Sequence, residues 1–202
     1  MDNKIYNIVI QLLEYIDPYY QQSIHLKDSP KRVTNYYETL LQFQLSKNKL
    51  SAEYKKLVTD KEVIDHLLNI TIFEEDEEYT NKNINNNILV GPIKVYSLCA
   101  HHFAPIIGNV WISYKPNKKI LGLSKLSRIA KLYARQPIIQ ELYTEGLYNL
   151  IKEYTNSDSV NIVTYMRHLC MESRGVQDTN SITLVYYMDD ESLLSKIILE
   201  KP

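Results

Sequence analysis

The stretch SVNIVTYMRHLC, residues 159–170, decides the fold of this chain. Successive side chains of an extended segment point to opposite faces. Val160, Ile162, Thr164, Met166, His168 and Cys170 therefore share one face of a predicted strand. That face begins apolar and needs a cover. The cover lies just upstream: a short helical pattern over residues 124–135, capped by Ser124, and a longer one from Pro137 to about Tyr154. In the second, Ile138, Ile139, Leu142, Leu147, Leu150 and Ile151 recur at helical spacing. Further out, residues 88–98 and 108–115 read as strands, Pro116-Asn117 as a turn, and residues 181–187 as a last strand. The order β-β-α-α-β-β predicts an α+β domain, an antiparallel four-stranded sheet with two helices on one face.

Helices precede this domain. Ile5, Ile8, Val9, Leu12, Leu13 and Ile16 have helical spacing within residues 3–16, and Asp17-Pro18 ends the run. A second helix starts at Ser29 as N-cap, with Pro30 at its first position. Residues 51–69 read as a third, weaker helix, and EEDEEYTNKNINNN over 74–87 as an acidic, then Asn-rich loop. The expected organisation is an N-terminal helical extension over 1–87, the α+β domain over 88–187, and a tail over 188–202 without a clear signal.

Composition removes several function classes. Net charge is −1, so no basic field advertises nucleic acid. No apolar run approaches the roughly 18 residues that a membrane helix needs. The start MDNKIYNIVIQLLEY is interrupted by Asn, Gln and Glu, unlike a signal peptide. With just two cysteines, Cys99 and Cys170, and no export signal, a reducing cytoplasmic location is expected.

The chemistry-bearing residues are few. Cys99 and His102 stand three apart in CAHH, close enough to reach one ion from a turn, and Cys170 follows far downstream. Two thiolates and an imidazole suit Zn²⁺ and leave a fourth position for an activated water. On spacing alone, two buried free thiols and unrelated histidines fit as well. His101 adjoins His102, and His168 precedes Cys170 by two on the same predicted strand face. A neutral imidazole beside an activated water can shuttle protons. His101 can equally serve as a packing residue.

The segments VYSLCAHHFAPIIGNVWISYKPNKKILGLSKLSRIAKLYARQP, IIQELYTEGL and HLCMESRGV, in this order and spacing, resemble the GTP cyclohydrolase I family. The resemblance covers about residues 88–187, with a further piece, LKDSPKRV, at 26–33. It implies the tunnelling fold, in which subunit sheets join into a barrel, and a homo-oligomer, typically a decamer, with sites between subunits. It implies conversion of GTP and water to 7,8-dihydroneopterin triphosphate and formate without a redox cofactor, for folate, biopterin or 7-deazaguanine synthesis. Cys99, His102 and Cys170 fall on the family's zinc ligands, His168 on its main acid/base at N7, and His101 on a second histidine near the reacting ring. Gln140 and Glu141 match the pair that holds the guanine edge, and Ser124 a residue near the ribose. A carboxylate can accept both N–H groups of that edge. Lys125, Arg128 and Arg174 match the triphosphate grip, and Arg32 an arginine reaching in from a neighbouring subunit. Arginine forks suit phosphate oxygens, and a helix start favours anions. Taken singly, each has a bland alternative: a surface charge, a solvated helix Glu, a helix cap.

One departure stands out. The family usually reads Cys-Glu-His-His, and this chain has Ala100 in place of the Glu. A carboxylate there would support the ligands or the substrate. Glu172 and Glu145 are possible substitutes. Ser173 and the tail also depart from the family pattern. These differences keep two alternatives open: an enzyme that stops at an earlier ring-opened product, and a non-catalytic GTP-binding homologue. A tunnelling-fold nitrile reductase, with a cysteine nucleophile and a nicotinamide cofactor, fits less well with an intact Cys99, His102 and Cys170 set.

Overall fold

The computed structural model describes residues 4–74, 87–117, 119–194 and 197. Four helices come first: α1 Lys4–Ile16, α2 Ser29–Leu40, α3 Gln42–Tyr54 and α4 Asp60–Leu67. Strands β1 Ile72–Glu74, β2 Ile88–Cys99, β3 Pro105–Tyr114 and β4 Lys119–Leu121 follow. Then come α5 Leu123–Tyr133, β5 Pro137–Ile138, α6 Gln140–Thr155, β6 Val160–His168, the single helical turn α7 Leu169–Glu172, and β7 Thr183–Met188. The main sheet has the order β5-β2-β3-β6-β7. Its four long strands pair antiparallel, as the alternation in the sequence predicts, and β5 adds two residues in parallel register beside Leu98 and Cys99. A separate two-stranded sheet joins β1 to β4.

The two faces of the sheet differ as period-two patterning requires. Val110, Ile112, Tyr114, Val160, Ile162 and Met166 pack into the main core under α5 and α6. Trp111 and Val163, one residue out of phase, face the other side and meet Ile197. Helix α5 contributes Leu126, Ile129 and Ala130 to the core, and α6 contributes Leu147, Ile151 and Tyr154. The Tyr143 hydroxyl donates to the Ala130 carbonyl (2.9 Å), which fixes one helix against the other. Gly108 lies so close to Tyr165 and Met166 that a Cβ would meet backbone at 2.6 Å, so this part of the β3–β6 pairing needs glycine.

Phe43, Leu50, Val63 and Ile64, from α3 and α4, enter the same core. Hydrogen bonds hold these helices there. The amide of Phe43 donates to the Arg135 carbonyl (2.9 Å), Tyr133 donates to Asp60 (3.1 Å), and Tyr154 donates to Asp65 (2.7 Å).

Several expected boundaries move. The helix predicted over 51–69 is two helices. Lys55 turns left-handed (φ 51°) and ends α3. Thr59 opens α4 with a capping box, its side chain accepting from the Glu62 amide while Glu62 reaches back to the Thr59 amide. Ser29 and Ser124 are inside their helices rather than capping them: Asp28 and Gly122 hold the cap positions. The helix expected from Pro137 begins at Gln140, because Pro137 and Ile138 extend to pair with β2. Cys170 is on α7, two residues past the end of β6, so its place is set by a helical turn and not by strand alternation. Of the loop expected over 74–87, residues 75–86 lie outside the described part, as do 195–196 and 198–202 of the tail. Among the described residues, no helix is long and apolar enough to cross a membrane.

Candidate active site

The site forms where three chain reversals meet at one end of the sheet. Strand β2 ends at Cys99 and turns at once: the Cys99 amide donates to the Ala104 carbonyl, and the Phe103 amide to the Cys99 carbonyl, both at 2.8 Å. Phe103 takes a left-handed conformation (φ 52°) to close this turn. That conformation costs a non-glycine residue on the order of 1–2 kcal/mol. The Ala100 amide donates to the Ile138 carbonyl (2.9 Å), which pins the turn to β5. His101 and His102 are thereby presented to solvent, while Cys99 stays buried. Register places His168 opposite Ile106 on β3, so β6 ends on the same side of the sheet. The turn α7 then brings in Cys170.

The ligand atoms of Cys99, His102 and Cys170 all lie within 4.8 Å of one another, and no other such cluster occurs among the described residues. Cys99 Sγ stands 3.6 Å from His102 Nδ1. Zn–S bonds of about 2.3 Å and Zn–N bonds of about 2.0–2.1 Å at a tetrahedral angle require an S···N separation of about 3.6 Å. The three residues could hold one metal ion, and the Cys99–His102 spacing fits ligation by both. Cys99 is buried and Cys170 half-buried, whereas His102 is exposed, which leaves the solvent side open. Burial, then the neighbouring Cys99 sulfur, push the Cys170 thiol above its ordinary pKa; the Arg174 guanidinium pulls it back. Two thiols this close resist ionising together until a cation balances them.

His168 is half-buried beside the cluster. Burial lowers its pKa, and the Glu141 carboxylate opposes that shift. Its Nε2 lies 2.8 Å from Oε1 of Gln140, the buried first residue of α6. Glu141 is exposed one position later. Ala100 lines a cavity of about 240 Å³ with Tyr133, Pro137, Ile139 and Leu142.

The remaining candidates are not gathered in one place. Arg174 acts electrostatically on Cys170 and belongs with the cluster. Arg32, paired with Asp28 at 3.7 Å, lines a cavity of about 580 Å³ that also touches Leu169, the residue between His168 and Cys170. Ser124 and Lys125 are in the first turn of α5, and Lys125 Nζ donates to the Asn69 carbonyl. The other end of this 11-residue helix leads to β5 and Cys99. The helix is about 16 Å long at 1.5 Å per residue. Arg128 lines a further cavity with Lys131 and Arg135. Glu172 is bound to Arg167 through two contacts, 2.9 and 2.5 Å, and Glu145 is exposed on α6.

The family model for GTP cyclohydrolase I matches residues 5–192. The chain belongs to the GTP cyclohydrolase I family. Curated relatives agree. The GTP cyclohydrolase 1 of Methylococcus capsulatus is 40% identical over 119 residues, 59% of this chain and 60% of the relative. That of Saccharomyces cerevisiae is 38% identical over 126 residues, 62% of this chain and 49% of the relative. That of Campylobacter jejuni strain RM1221 is 34% identical over 183 residues, 91% of this chain and 84% of the relative. In the first two, the match spans about half to three fifths of the relative's own length. The GTP cyclohydrolase I match extends beyond the 26–33 piece and the 88–187 stretch that carry the resemblance in sequence, and takes in nearly all of α1 to α4.

Proposed function

We propose that this chain is a zinc-dependent GTP cyclohydrolase I that converts GTP and water to 7,8-dihydroneopterin triphosphate and formate. The observation that carries the reading is the Cys99, His102 and Cys170 cluster with His168 two residues from one of its members. A Zn²⁺ ion held by these three residues would polarise a bound water and lower its pKa to near neutrality. His168 gives a proton to N7 as C8 of the guanine takes up water, and the imidazole ring opens to a formamide. A second hydrolysis releases formate, after which the ribose opens, rearranges and closes on the freed amine. His101, exposed beside His102, is a second proton carrier. Glu141 accepts from N1 and the exocyclic amine of guanine. Arg174, whose charge acts on Cys170, holds a phosphate edge together with Lys125, Arg128 and Arg32, while Ser124 contacts the ribose. The test is formate release from GTP: a binding homologue releases none.

The same reading requires an oligomer. Ser124 and Lys125 stand a helix length from the end of α5 that leads to Cys99, which favours a triphosphate grip drawn from more than one chain. A neighbouring copy supplies the missing groups in the proposed homo-oligomer. Activity per chain is therefore expected to fall when the protein is diluted to monomers. Light scattering run alongside the formate assay checks this, and a fully active monomer contradicts it.

Ala100 tunes the rate. Its cavity has room for a longer side chain, and Glu172 is engaged by Arg167 and does not replace the missing carboxylate. A carboxylate at 100 would preorganise the site next to the ligands, at the cost of repelling a triphosphate. The phosphates lie farther from the reacting ring, so the first effect dominates. Ala100→Glu is expected to raise kcat on the order of 10-fold and change KM less. Steady-state formate release for both forms decides; a neutral or lower kcat means that the pocket is built around the alanine.

A further inference from the structure

Gln140 is 2% exposed and its side-chain amide has no unused donor. Its Nε2 faces three acceptors: the Thr164 carbonyl (3.2 Å), the Thr164 hydroxyl oxygen (3.0 Å) and the Thr183 carbonyl (3.0 Å). Two of these are backbone carbonyls, which can only accept. Turning the amide over would aim its oxygen at both, with no proton between them. Chemistry therefore fixes the orientation that coordinates alone leave open for an amide. The surrounding ladder is also satisfied. Thr144 donates to the Gln140 carbonyl (2.8 Å), and the single Thr164 proton is shared between the Thr144 hydroxyl (2.8 Å) and the Val185 carbonyl (3.2 Å). Thr164 and Thr144 are fully buried, so no water competes.

With the NH₂ group committed to the two strands, Oε1 is the atom left facing His168 Nε2 at 2.8 Å. An amide oxygen only accepts, so the proton on that line belongs to the imidazole. We infer that Gln140 is a positioning residue that holds His168 with a proton on Nε2, leaving Nδ1 as the nitrogen that takes up a proton and then gives it to substrate. This deepens the cyclohydrolase reading, on which its catalytic consequence rests. On this inference the guanine edge falls to Glu141, because the Gln140 donor pair is spent on Thr164 and Thr183. The ring is held from one side by α6, while β6 and β7 hold α6's first side chain, so ring orientation is tied to strand pairing. A dihedral slip of the imidazole would leave the buried Gln140 oxygen without its donor.

The experiment is magic-angle-spinning ¹⁵N spectroscopy of metal-loaded protein labelled in histidine, with His168 assigned by its loss in His168→Asn. Wild-type protein is expected to show the proton on Nε2 when the ring is neutral. Gln140→Leu, close in volume but without an acceptor, is expected to show the Nδ1–H form or a mixture. In the same variant kcat for formate release is expected to fall on the order of 10²-fold, with KM within about twofold. A wild-type ring protonated on Nδ1 overturns the inference, as does a Gln140→Leu variant that raises KM and leaves kcat unchanged, the mark of a lost substrate contact. The wild-type spectrum, assigned with His168→Asn, needs no turnover, so it decides the tautomer even where the formate assay is negative.

Discussion

Cys170→Ser is expected to lose the metal and, with it, all measurable formate release. A serine hydroxyl does not ionise near neutral pH, and a ligand must be deprotonated to hold the ion. In this protein the loss is severe because only three protein ligands converge, with no fourth side chain of that kind among the described residues. Removing a group that merely supports a ligand typically costs 10–100-fold in affinity, and removing a ligand itself costs more. Metal analysis after gel filtration is expected to give about one zinc per wild-type chain, from one cluster, and far below that for the variant. Cys170 is half-buried on a single turn after β6, at the edge of the core, and serine is close to it in size, so the fold should survive, which circular dichroism checks. Full metal retention by a folded Cys170→Ser protein contradicts the assignment.

His168→Ala is expected to do the reverse: keep the metal and lose the chemistry. Its ring is spoken for by Gln140 at 2.8 Å and is not needed to complete the three-ligand cluster. Removing a general acid–base typically costs 10²–10⁴ in rate, and a fall of that size in formate release is expected. The variant also leaves Gln140 Oε1 buried without its donor. That should cost about 1–3 kcal/mol of stability, seen as a lower midpoint in denaturant unfolding. Near-normal turnover with metal bound would mean that another group moves the proton.

The sheet was legible because β6 and the second half of β3 alternate, with Val160, Ile162 and Met166 inside and Trp111 and Val163 opposite. Helix α6 was legible from its apolar stripe, but its start was not. Pro137 and Ile138 pair with Leu98 and Cys99, a two-residue contact with no periodic signature. The break between α3 and α4 was readable in part: Thr59 and Glu62 have capping-box spacing, whereas the left-handed Lys55 lacks the glycine that usually marks such a turn. The cysteine and histidine cluster could be found from residue type and local spacing. The placement of Cys170 on α7 could not, because Leu169–Glu172 has no turn residue and is apolar enough to continue a strand. The role of Gln140 was hidden for a different reason. Its partners are 24 and 43 residues away in sequence and are polar only through a threonine hydroxyl and backbone carbonyls. A buried amide of this kind is specified by strand pairing, which single-residue spacing does not encode.

The most direct test of the proposed function is mass spectrometry of the products formed when purified protein is incubated with zinc and GTP. The expected result is 7,8-dihydroneopterin triphosphate together with one formate per GTP consumed. A ring-opened formamide that accumulates without formate would place the chain as an enzyme that stops early, and GTP recovered intact would contradict a catalytic role altogether.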